Sequence, residues 1–581
     1  MQHTSLKHFF IWMTVLLFSP VLHAQNIAEI AKSDPLIISG SVGTQNTYRY
    51  SSVGHGYSSP LSNTIYANLN VSVYGFSMPF SLHFSNDNLH FNYPHFSFNL
   101  TPRYKNWIGH IGQSSISMSN YVMNMSFNGI GLEYTTDRIR TGIFYGRLRN
   151  AIQSDPTDPF ARAPQYKRMG WGFKVGYGSG KNYLDLYLLR AYDSEKSLDE
   201  TWQKTLSPQE NIVVGLRGCL TPLKWFSLTA NAATSVFNTD VRMAKVPIET
   251  KFDKIFDVKY SSLLRFAGDV NANFILPGLT ASVSYRMVQP DYTSLGTYYM
   301  SNNYQSLGVT LGTVLFKRLA LSGTFSGQQD NLSKEQMFTT CGYVYAANAS
   351  MRIGNHFNIS AGYNGYLQTQ RDGSVAVKDS TRIFRRMSSL SITPSYNYDA
   401  EVLGHSVSLS ANFTENKDLN KYATGETDVK TMALGLSYNM GIKPWDVDVT
   451  CSYSHQQSEG FKSIYKSDVL SVGTGRSFLK ERNLNVSAAV SMYYNEVVRQ
   501  SKSLSLGCDF SASYNIKKAH MFSASAGFNK YGDVNITKTK SNLDQLDITA
   551  SLNYVYTFTL LSIKSKANRE KEKNKQNANT I

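Results

Sequence analysis

The sequence lacks the long apolar stretches on which helical membrane proteins are built. Of its 581 residues, 16 are proline, 4 are cysteine and 17% are charged. Beyond a short apolar stretch near the N-terminus, no run approaches the roughly 20 apolar residues of a membrane-spanning helix. A protein that crosses a membrane with helices is therefore excluded.

The four cysteines do not form a disulfide pattern. By strand alternation, Cys341, Cys451 and Cys508 fall among the apolar residues of three separate strands. Cys219 falls on the polar side of its strand, beside Arg217. Because unpaired cysteine commonly acts as a small apolar residue, we expect all four thiols to be free.

Motifs of catalysis and of ligand chemistry are also missing. Residues 176–182 resemble a phosphate-binding loop, but Val175 stands where the first glycine belongs and Asn182 replaces Ser or Thr. This segment precedes a strand rather than a helix, which predicts a hairpin turn. No GxSxG motif occurs, and the 12 His are scattered without metal-ligand spacing. We expect no enzyme activity, no cofactor and no metal site, although scattered Ser and His leave a Ser–His pair on the lipid face open.

Strict two-residue alternation over long stretches is what the sequence has in abundance. In residues 546–560, eight apolar side chains occupy one face and polar side chains occupy the other, with Val555 as the exception. Successive strand side chains point to opposite sides, so this stretch has one apolar and one polar surface. It is longer than a typical soluble strand and reaches the roughly 9–11 residues of a strand that crosses lipid.

Similar stretches recur from about residue 34 to residue 560 and are joined by alternating short and long connections. Short turns include Gly75, Ser179–Asn182, Pro277-Gly278 and Leu403–His405. About twelve short turns and about thirteen loops predict an all-β fold, a transmembrane antiparallel up-and-down β-barrel of about 26 strands (about 22–28). The short turns would be periplasmic and the loops extracellular. The alternative, a soluble β-sandwich, would have shorter strands and a second inward-facing sheet.

The N-terminal residues have the layout of a secretory signal. Lys7 precedes a short apolar run that Ala24 closes, so cleavage is expected before Gln25. An exported barrel without membrane helices belongs in a bacterial outer membrane. The predicted organisation is a signal peptide at 1–24, a short periplasmic segment at 25–33, the barrel at 34–561 and a basic, disordered periplasmic tail at 562–581.

The formal net charge of +16 comes from 57 basic against 41 acidic residues. The basic residues are spread over many strands of an exported chain, so nucleic acid is not an expected partner. Many of them lie at the short turns and in the tail. There they would meet the phosphates of outer-membrane lipid, or an acidic periplasmic or outer-membrane partner protein. The oligomeric state is not determined by the sequence.

Charged residues of both signs fall on the polar, inward face of consecutive strands between about residues 127 and 288. We call this set the charged wall; strand alternation assigns to it Glu133, Arg147, Lys174, Asp185, Arg217, Arg265, Asp269 and Arg286. The C-terminal half instead offers mostly Ser, Thr and Asn inward. A charged wall that faces a neutral one could select permeant solutes or hold an inserted loop, whereas an ordinary wetted lumen is the simpler interpretation.

Long loops are expected to narrow the lumen. Only about ten residues separate Gln25 from the first strand, which leaves no room for a separate plug domain at that end. We therefore expect one or more of the loops at about 150–168, 192–210 and 238–260 to fold inward. Asp155, Asp158, Glu195 and Glu200 would supply their contacts with the charged wall.

The blocks ISGSVGTQNTYRY, TPRYKNWIGHIG and RMGWGFKVGYGSGKNYLDLYLLRAYD, together with the Ala24-Gln25 junction, resemble large outer-membrane β-barrels of the Bacteroidota. The resemblance implies an outer-membrane location and a large β-barrel architecture. Such barrels serve as channels, secretion components and partners in larger complexes. Two functions remain open on these grounds. The chain forms a channel for solutes or a polymer, narrowed by loops or by a partner, or it is a structural or assembly partner in an envelope complex.

Strand alternation predicts opposite effects of arginine at two adjacent positions. Ile359→Arg should place a charge on the lipid face and destabilise the barrel by roughly 2–4 kcal/mol near the bilayer midplane. Ser360→Arg should be tolerated, because its side chain would enter water. The folded fraction of each variant in the outer membrane measures the difference, and equal effects would contradict the assignment of the faces.

Overall fold

The alternating stretches of the sequence form a single closed antiparallel sheet. The computed structural model describes residues 34–52, 60–85, 96–154, 162–247, 256–479, 481–517, 519–533, 545–565 and 568. The predicted signal peptide, the N-terminal segment and most of the C-terminal tail lie outside these residues. In the described part, no helix is long and apolar enough to span a bilayer.

The described strands follow one another in chain order, and each pairs with its neighbours in sequence. The one α-helix labelled here is α1 (Glu200–Thr205), and 3-10 turns occur at Glu195–Ser197 and Lys443–Trp445. The strands are β1 (Leu36–Ser51), β2 (Leu61–Val73), β3 (Phe76–Ser85), β4 (Phe96–Leu100), β5 (Arg103–Tyr104), β6 (Trp107–Ser114), β7 (Phe127–Thr135), β8 (Ile139–Arg149), β9 (Arg168–Ser179), β10 (Asn182–Asp193), β11 (Glu210–Leu223), β12 (Phe226–Asn238), β13 (Ser262–Leu276), β14 (Leu279–Val288), β15 (Tyr304–Leu315), β16 (Leu319–Asp330), β17 (Phe338–Ile353), β18 (Phe357–Asp372), β19 (Phe384–Asp399), β20 (Leu403–Asp418), β21 (Val429–Ile442), β22 (Val447–Gly460), β23 (Ser463–Phe478), β24 (Leu484–Val497), β25 (Ser501–Ile516), β26 (His520–Asp533) and β27 (Gln545–Ile563).

The short strands β4 and β5 are two pieces of one barrel strand. Both pair with β3 on one side and with β6 on the other. The break falls at Thr101 and Pro102, where proline has no N–H to give to the ladder. The Pro102 carbonyl instead accepts a hydrogen bond from the Gly109 backbone N–H at 2.7 Å. The segments therefore make 26 barrel strands, which confirms the predicted fold class and strand number.

The barrel closes where the first strand pairs with the last. The register runs from Leu36 opposite Ile563 to Ser51 opposite Asp547, with one irregularity after Ile38. This pairing leaves no strand edge, so the backbone N–H and C=O groups along the seam are satisfied within the sheet.

One face of every strand points into the lumen, and the other points outward. Directly paired residues share a face of the sheet. The strand registers therefore identify, from one strand to the next around the closed sheet, which side chains face the lumen. On β18, Ser360 pairs with Thr393 and faces inward, whereas Ile359 faces outward opposite Pro394. The outward face carries large exposed apolar side chains on many strands, as lipid contact requires.

Most of the turns lie where the sequence places them. Gly75, Gly180 and Gly278 all have positive φ, which glycine adopts without strain and which tight strand reversals use. One turn was placed wrongly, because residues 403–405 begin strand β20 and the reversal is at 400–402. Gly404 indicated a turn at this point, but it lies within the strand, where it pairs with Gly441. All four cysteines are free, as predicted.

The described residues of the long loops expected to fold against the charged wall form hydrogen bonds with one another. The Val241 backbone N–H donates to the Pro208 carbonyl at 2.9 Å, and Tyr166 Oη donates to the Leu206 carbonyl at 3.1 Å. No ion pair joins Glu195 or Glu200 to the charged wall in the part of the chain that the structure describes. Asp155 and Asp158 lie outside the described residues. The predicted contacts of Glu195 and Glu200 were therefore wrong, whereas the inward folding of the three loops stays a prediction.

Two of these loops are joined by a charged contact at Asp240. Its carboxylate accepts hydrogen bonds from the Arg242 guanidinium at 2.8 and 2.9 Å and from the Ser207 hydroxyl at 2.9 Å. Arg242 Nη1 also donates to the Gln203 carbonyl at 2.7 Å. These donors, Arg242 first, lower the pKa of Asp240 from 3.8 to about 2.

Acid should loosen this loop contact in a defined range. Because the pKa of Asp240 in the folded protein is depressed, its contribution is fully present above pH about 4 and is lost as pH falls through about 2. The fluorescence of Trp202 in α1 should change across that range. Asp240→Asn should give the loosened state at neutral pH, seen as faster trypsin cleavage after Lys204. Asp257→Asn, which removes an exposed pair with Lys245, is the control, and an equal effect of both substitutions would contradict the role of Asp240.

Candidate functional site: the lumenal wall

Charged side chains of the inner face form one register row across seven neighbouring strands. Each member is directly paired with the next, so adjacent side chains lie side by side on the same face. From β8 to β14 the row is Arg140, Gly176, Asp185, Arg217, Asn231, Asp269 and Arg286. The structure thus places Asp185, Arg217, Asp269 and Arg286 in a single band along the wall.

Glu133 and Lys174 lie in the adjacent row of the same face and form an ion pair. Both are largely buried, with 13% and 12% of their side-chain surface exposed. His110 Nε2 lies 2.9 Å from Glu133 Oε1, so the carboxylate contacts two basic groups. Lys174 Nζ also donates to the Ser117 carbonyl at 3.4 Å. A buried carboxylate with these partners is compensated, as a charge away from bulk water must be.

The ion pairs of the wall cross over a strand, and glycine makes the crossing possible. Arg140 donates through Nε and Nη2 to Asp185 Oδ1 at 3.1 and 2.8 Å, although strand β9 lies between them. The intervening residue in the row is Gly176, where an added Cβ would lie 1.9 Å from Asp185 Oδ1. Gly142 occupies the same position between Glu133 and Lys174, and an added Cβ would lie 2.9 Å from Lys174 Cε.

Three further members of the predicted wall contact inserted segments or neighbouring tyrosines. Asp269 Oδ1 accepts a hydrogen bond from Tyr121 Oη at 2.8 Å. Arg265 Nε donates to the Pro290 carbonyl at 2.8 Å. Arg286 lies within the electrostatic reach of Tyr121 and Asp269.

Arg147 does not belong to the inner face. On β8 the buried residues Phe144 and Leu148 point inward, whereas Arg147 shares the outward side with Ile143 and Tyr145. Its placement in the wall was wrong because both faces of β8 carry large apolar residues, so the alternation of apolar and polar residues does not distinguish them. Arg147 pairs in register with the outward Met169 of β9.

The charged wall is covered by residues 115–126, the connection between β6 and β7, which we call the inner segment. Val122 and Met123 are 0% and 2% exposed, and Ile116, Met118 and Tyr121 are also buried. They pack on inward apolar side chains of the wall strands; these include Phe144, Tyr187, Leu189, Val213, Phe237 and Val288. The Ser119 hydroxyl donates to Asn231 Oδ1 at 2.8 Å, which fixes the inner segment on the charged row.

A second inserted stretch, residues 289–303 between β14 and β15, supports the inner segment. Tyr292 Oη donates to the Tyr121 carbonyl at 2.8 Å, and Ser294 Oγ donates to the Val122 carbonyl at 2.5 Å. The Leu295 backbone N–H donates to Asn211 Oδ1 of β11 at 3.1 Å. We call this stretch the second inner segment. These bonds satisfy the Tyr121 and Val122 carbonyls and the Leu295 N–H within the barrel.

The opposite side of the lumen is mostly uncharged and open to water, with Asp448, Asp509 and Asp547 as inward carboxylates. On β15–β27 the inward side chains are mainly Ser, Thr and Asn, and many of them, including Thr450, Ser452 and Ser511, are exposed. Hydroxyl pairs join neighbouring strands along this face, at Ser408–Ser437, Ser471–Ser491, Ser487–Ser511 and Ser525–Ser551. We call this face the neutral wall.

The inner segment is the functional element that sequence reasoning missed. A signal for it was present, because inward positions of β8–β12 carry large apolar residues such as Phe144, Leu189 and Val213. Apolar residues on a water-facing wall require a cover. The Met-rich sequence of residues 115–126 supplies a matching apolar face.

No group of three or more His, Cys, Asp or Glu side chains suited to a metal ion occurs among the described residues. The chemistry that the wall offers is electrostatic and hydrogen-bonding: paired ions, tyrosine hydroxyls and guanidinium groups that face water.

No protein-family model matches the chain, and no curated protein matches it. Solved structures to which it is similar include the P pilus usher (PapC) translocation pore, with 11% identity, 90% of this chain and 100% of that chain covered, and a TM-score of 0.36. The match to OccAB3 of Acinetobacter baumannii has 11% identity and a TM-score of 0.30, and it covers 67% of this chain and 99% of the OccAB3 chain. OccK8 (OprE) of Pseudomonas aeruginosa has 9% identity, 68% and 98% coverage, and a TM-score of 0.31.

A side chain at Gly176 should break the ion pair that crosses it. Gly176→Val should displace Asp185 from Arg140 and lower the free energy of unfolding by roughly 1–3 kcal/mol. Urea unfolding in detergent, followed by the mobility shift of the folded barrel in unheated gels, measures the loss.

Two controls separate this effect from the general cost of valine in a strand. Gly475→Val on the neutral wall should cost less, because the nearest atom to its added Cβ is 3.8 Å away. In an Asp185→Ala background, Gly176→Val should have little further effect. An undiminished loss in that background would show that the crossing pair is not the cause.

Proposed function

We propose that the chain is an outer-membrane channel for hydrophilic solutes, and that its own inner segments narrow the lumen. The observation that carries this proposal is the asymmetry of the inner face. A charged wall lies under a fixed inner segment on one side, and an exposed neutral wall of hydroxyl and amide groups lies on the other. A permeation path lined by polar side chains on one side and by anchored loops on the other suits selective passage of small solutes.

Barrel size supports the need for such narrowing. With strands about 4.8 Å apart and tilted about 40°, a circular barrel of 26 strands has a backbone diameter of roughly 50 Å. Barrels of 16–18 strands already hold an aqueous channel. An unobstructed lumen of this width would pass solutes without selection, whereas inner segments on the wall reduce the free cross-section.

The proposed channel function requires a location in the outer membrane. We propose export through the signal at 1–24 and insertion into a bacterial outer membrane, with tight turns in the periplasm and long loops outside. A source among the Bacteroidota remains the expectation from sequence style. Basic residues at the tight turns would contact lipid phosphates.

Removal of the inner segment tests the channel directly. In planar bilayers, replacement of residues 116–125 by a short Gly-Ser linker should raise single-channel conductance several-fold, because the covered wall becomes accessible to ions. Liposome swelling with sugars of increasing size should show a larger exclusion limit for the same variant.

The matched control is an equivalent replacement of residues 421–426, an exposed loop at the other side of the barrel. This change should leave conductance unaltered. Absence of conductance in the wild-type and deletion proteins alike would overturn the channel proposal. Copurification of a stoichiometric partner from native membranes would then favour the alternative, a structural or assembly barrel in an envelope complex.

A further inference from the structure

A cavity of about 170 Å³ lies between the inner segment and the charged wall. Its lining includes Ser117 of the inner segment and, on the wall, Arg140, Lys174, Asp185, Tyr187 and Arg217. Its volume is well above the roughly 15 Å³ that a single water needs by the same measure. It is large enough to hold a small solute.

Most polar groups around the cavity already have partners within the protein. Arg140 uses Nε and Nη2 on Asp185 and Nη1 on the Gly178 carbonyl, at 2.6 Å for the last. Lys174 contacts Glu133 and the Ser117 carbonyl. Both carboxylate oxygens of Asp185 have donors, because Arg140 binds its Oδ1 and Tyr187 Oη donates to its Oδ2 at 3.3 Å.

Arg217 is the exception. It stands directly opposite Asp185 in the register, yet no hydrogen bond or ion pair of its guanidinium occurs among the described residues. The group is exposed and faces the lumen beside the cavity. Five N–H donors in a planar fork are thus available, an arrangement that matches the oxygens of a carboxylate or phosphate.

The charges around the cavity also favour an anion. Glu133 is compensated by Lys174 and His110, and Asp185 is compensated by Arg140. Arg217 therefore leaves a net positive charge in a confined space, where electrostatic attraction exceeds that in bulk water. Surface arginines without a cavity would lack this confinement.

We propose that this cavity is a binding site for a small oxyanion, a carboxylate or phosphate group that Arg217 holds through paired hydrogen bonds. Lys174 and Arg140, each paired with a carboxylate, line the same cavity, and Ser117 of the inner segment borders it. As a statement about what the lumen transports, this inference rests on the proposed channel function. The binding itself does not, because it requires only the folded barrel.

Calorimetric titration of the full-length, detergent-solubilised protein with succinate and with inorganic phosphate tests the site. At least one of these probes should bind, and Arg217→Ala should weaken it roughly tenfold or more, as loss of charged hydrogen bonds predicts. Asp185→Asn should tighten binding, because it removes a negative charge and frees Arg140. The relative affinities of succinate and phosphate identify the preferred group.

Arg286→Ala is the matched control, because Arg286 lies in the same register row but does not line the cavity. It should leave both affinities unchanged, and the gel mobility shift shows whether each variant folds. Binding of neither probe, or equal binding by wild type and Arg217→Ala, would overturn the proposal. Probe binding without ion conductance in bilayers would uphold the site and overturn the channel function.

Discussion

The structure depends on one constraint, that no backbone N–H or C=O group may be left without a partner in lipid. An open sheet of membrane-length strands would leave two unpaired edges, and each unsatisfied group costs several kcal/mol in hydrocarbon. The pairing of β1 with β27 removes both edges. Closure in turn requires an even strand number in an up-and-down barrel, and it fixes which side chains of every strand face water. The distribution of charge in the lumen follows from that assignment.

Within the lumen, the sheet geometry limits which side chains can meet. Direct neighbours in a row are close, yet the strongest contacts of the wall join residues two strands apart, at Arg140–Asp185 and Glu133–Lys174. They do so because Gly176 and Gly142 leave the space between them empty. Among the described residues, the same choice of partners leaves the guanidinium of Arg217 without a hydrogen bond or ion pair. Two glycines thus allow the charges of the wall to pair across a strand while Arg217 faces water.

The fold was predictable because its cause is local and repeated. A period of two over stretches such as 546–560 can be recognised without any knowledge of distant contacts, and closure follows from counting the turns. The faces of Ile359 and Ser360 were assigned on the same basis. The prediction was wrong at Arg147, because both faces of β8 carry large apolar residues. It was also wrong at the start of β20, where Gly404 indicated a turn but lies within the strand.

The inner segment could not be derived in the same way. Its position depends on contacts between residues far apart in sequence, such as Tyr121 with Asp269 and Ser294 with Val122. Loop length, the property that sequence offers most readily, indicated other loops. The more informative property was the presence of Leu189 and Val213 on a face that should otherwise be polar. Apolar residues at lumenal positions identify the wall that is covered, although they do not identify the cover.

The position of the inner segment in the chain has a consequence for the order of assembly. Residues 115–126 contact strands β7–β14, which form by pairing of sequence neighbours, whereas Ser39 and Thr559 of the seam are joined across almost the whole chain. Pairing of β1 with β27 closes a much longer loop than pairing of sequence neighbours does. It therefore has the larger entropic cost and is expected to form more slowly. The inner segment can therefore dock while the sheet is still an open curved surface. The seam then closes around a lumen in which the inner segment already lies on the apolar residues of the wall strands.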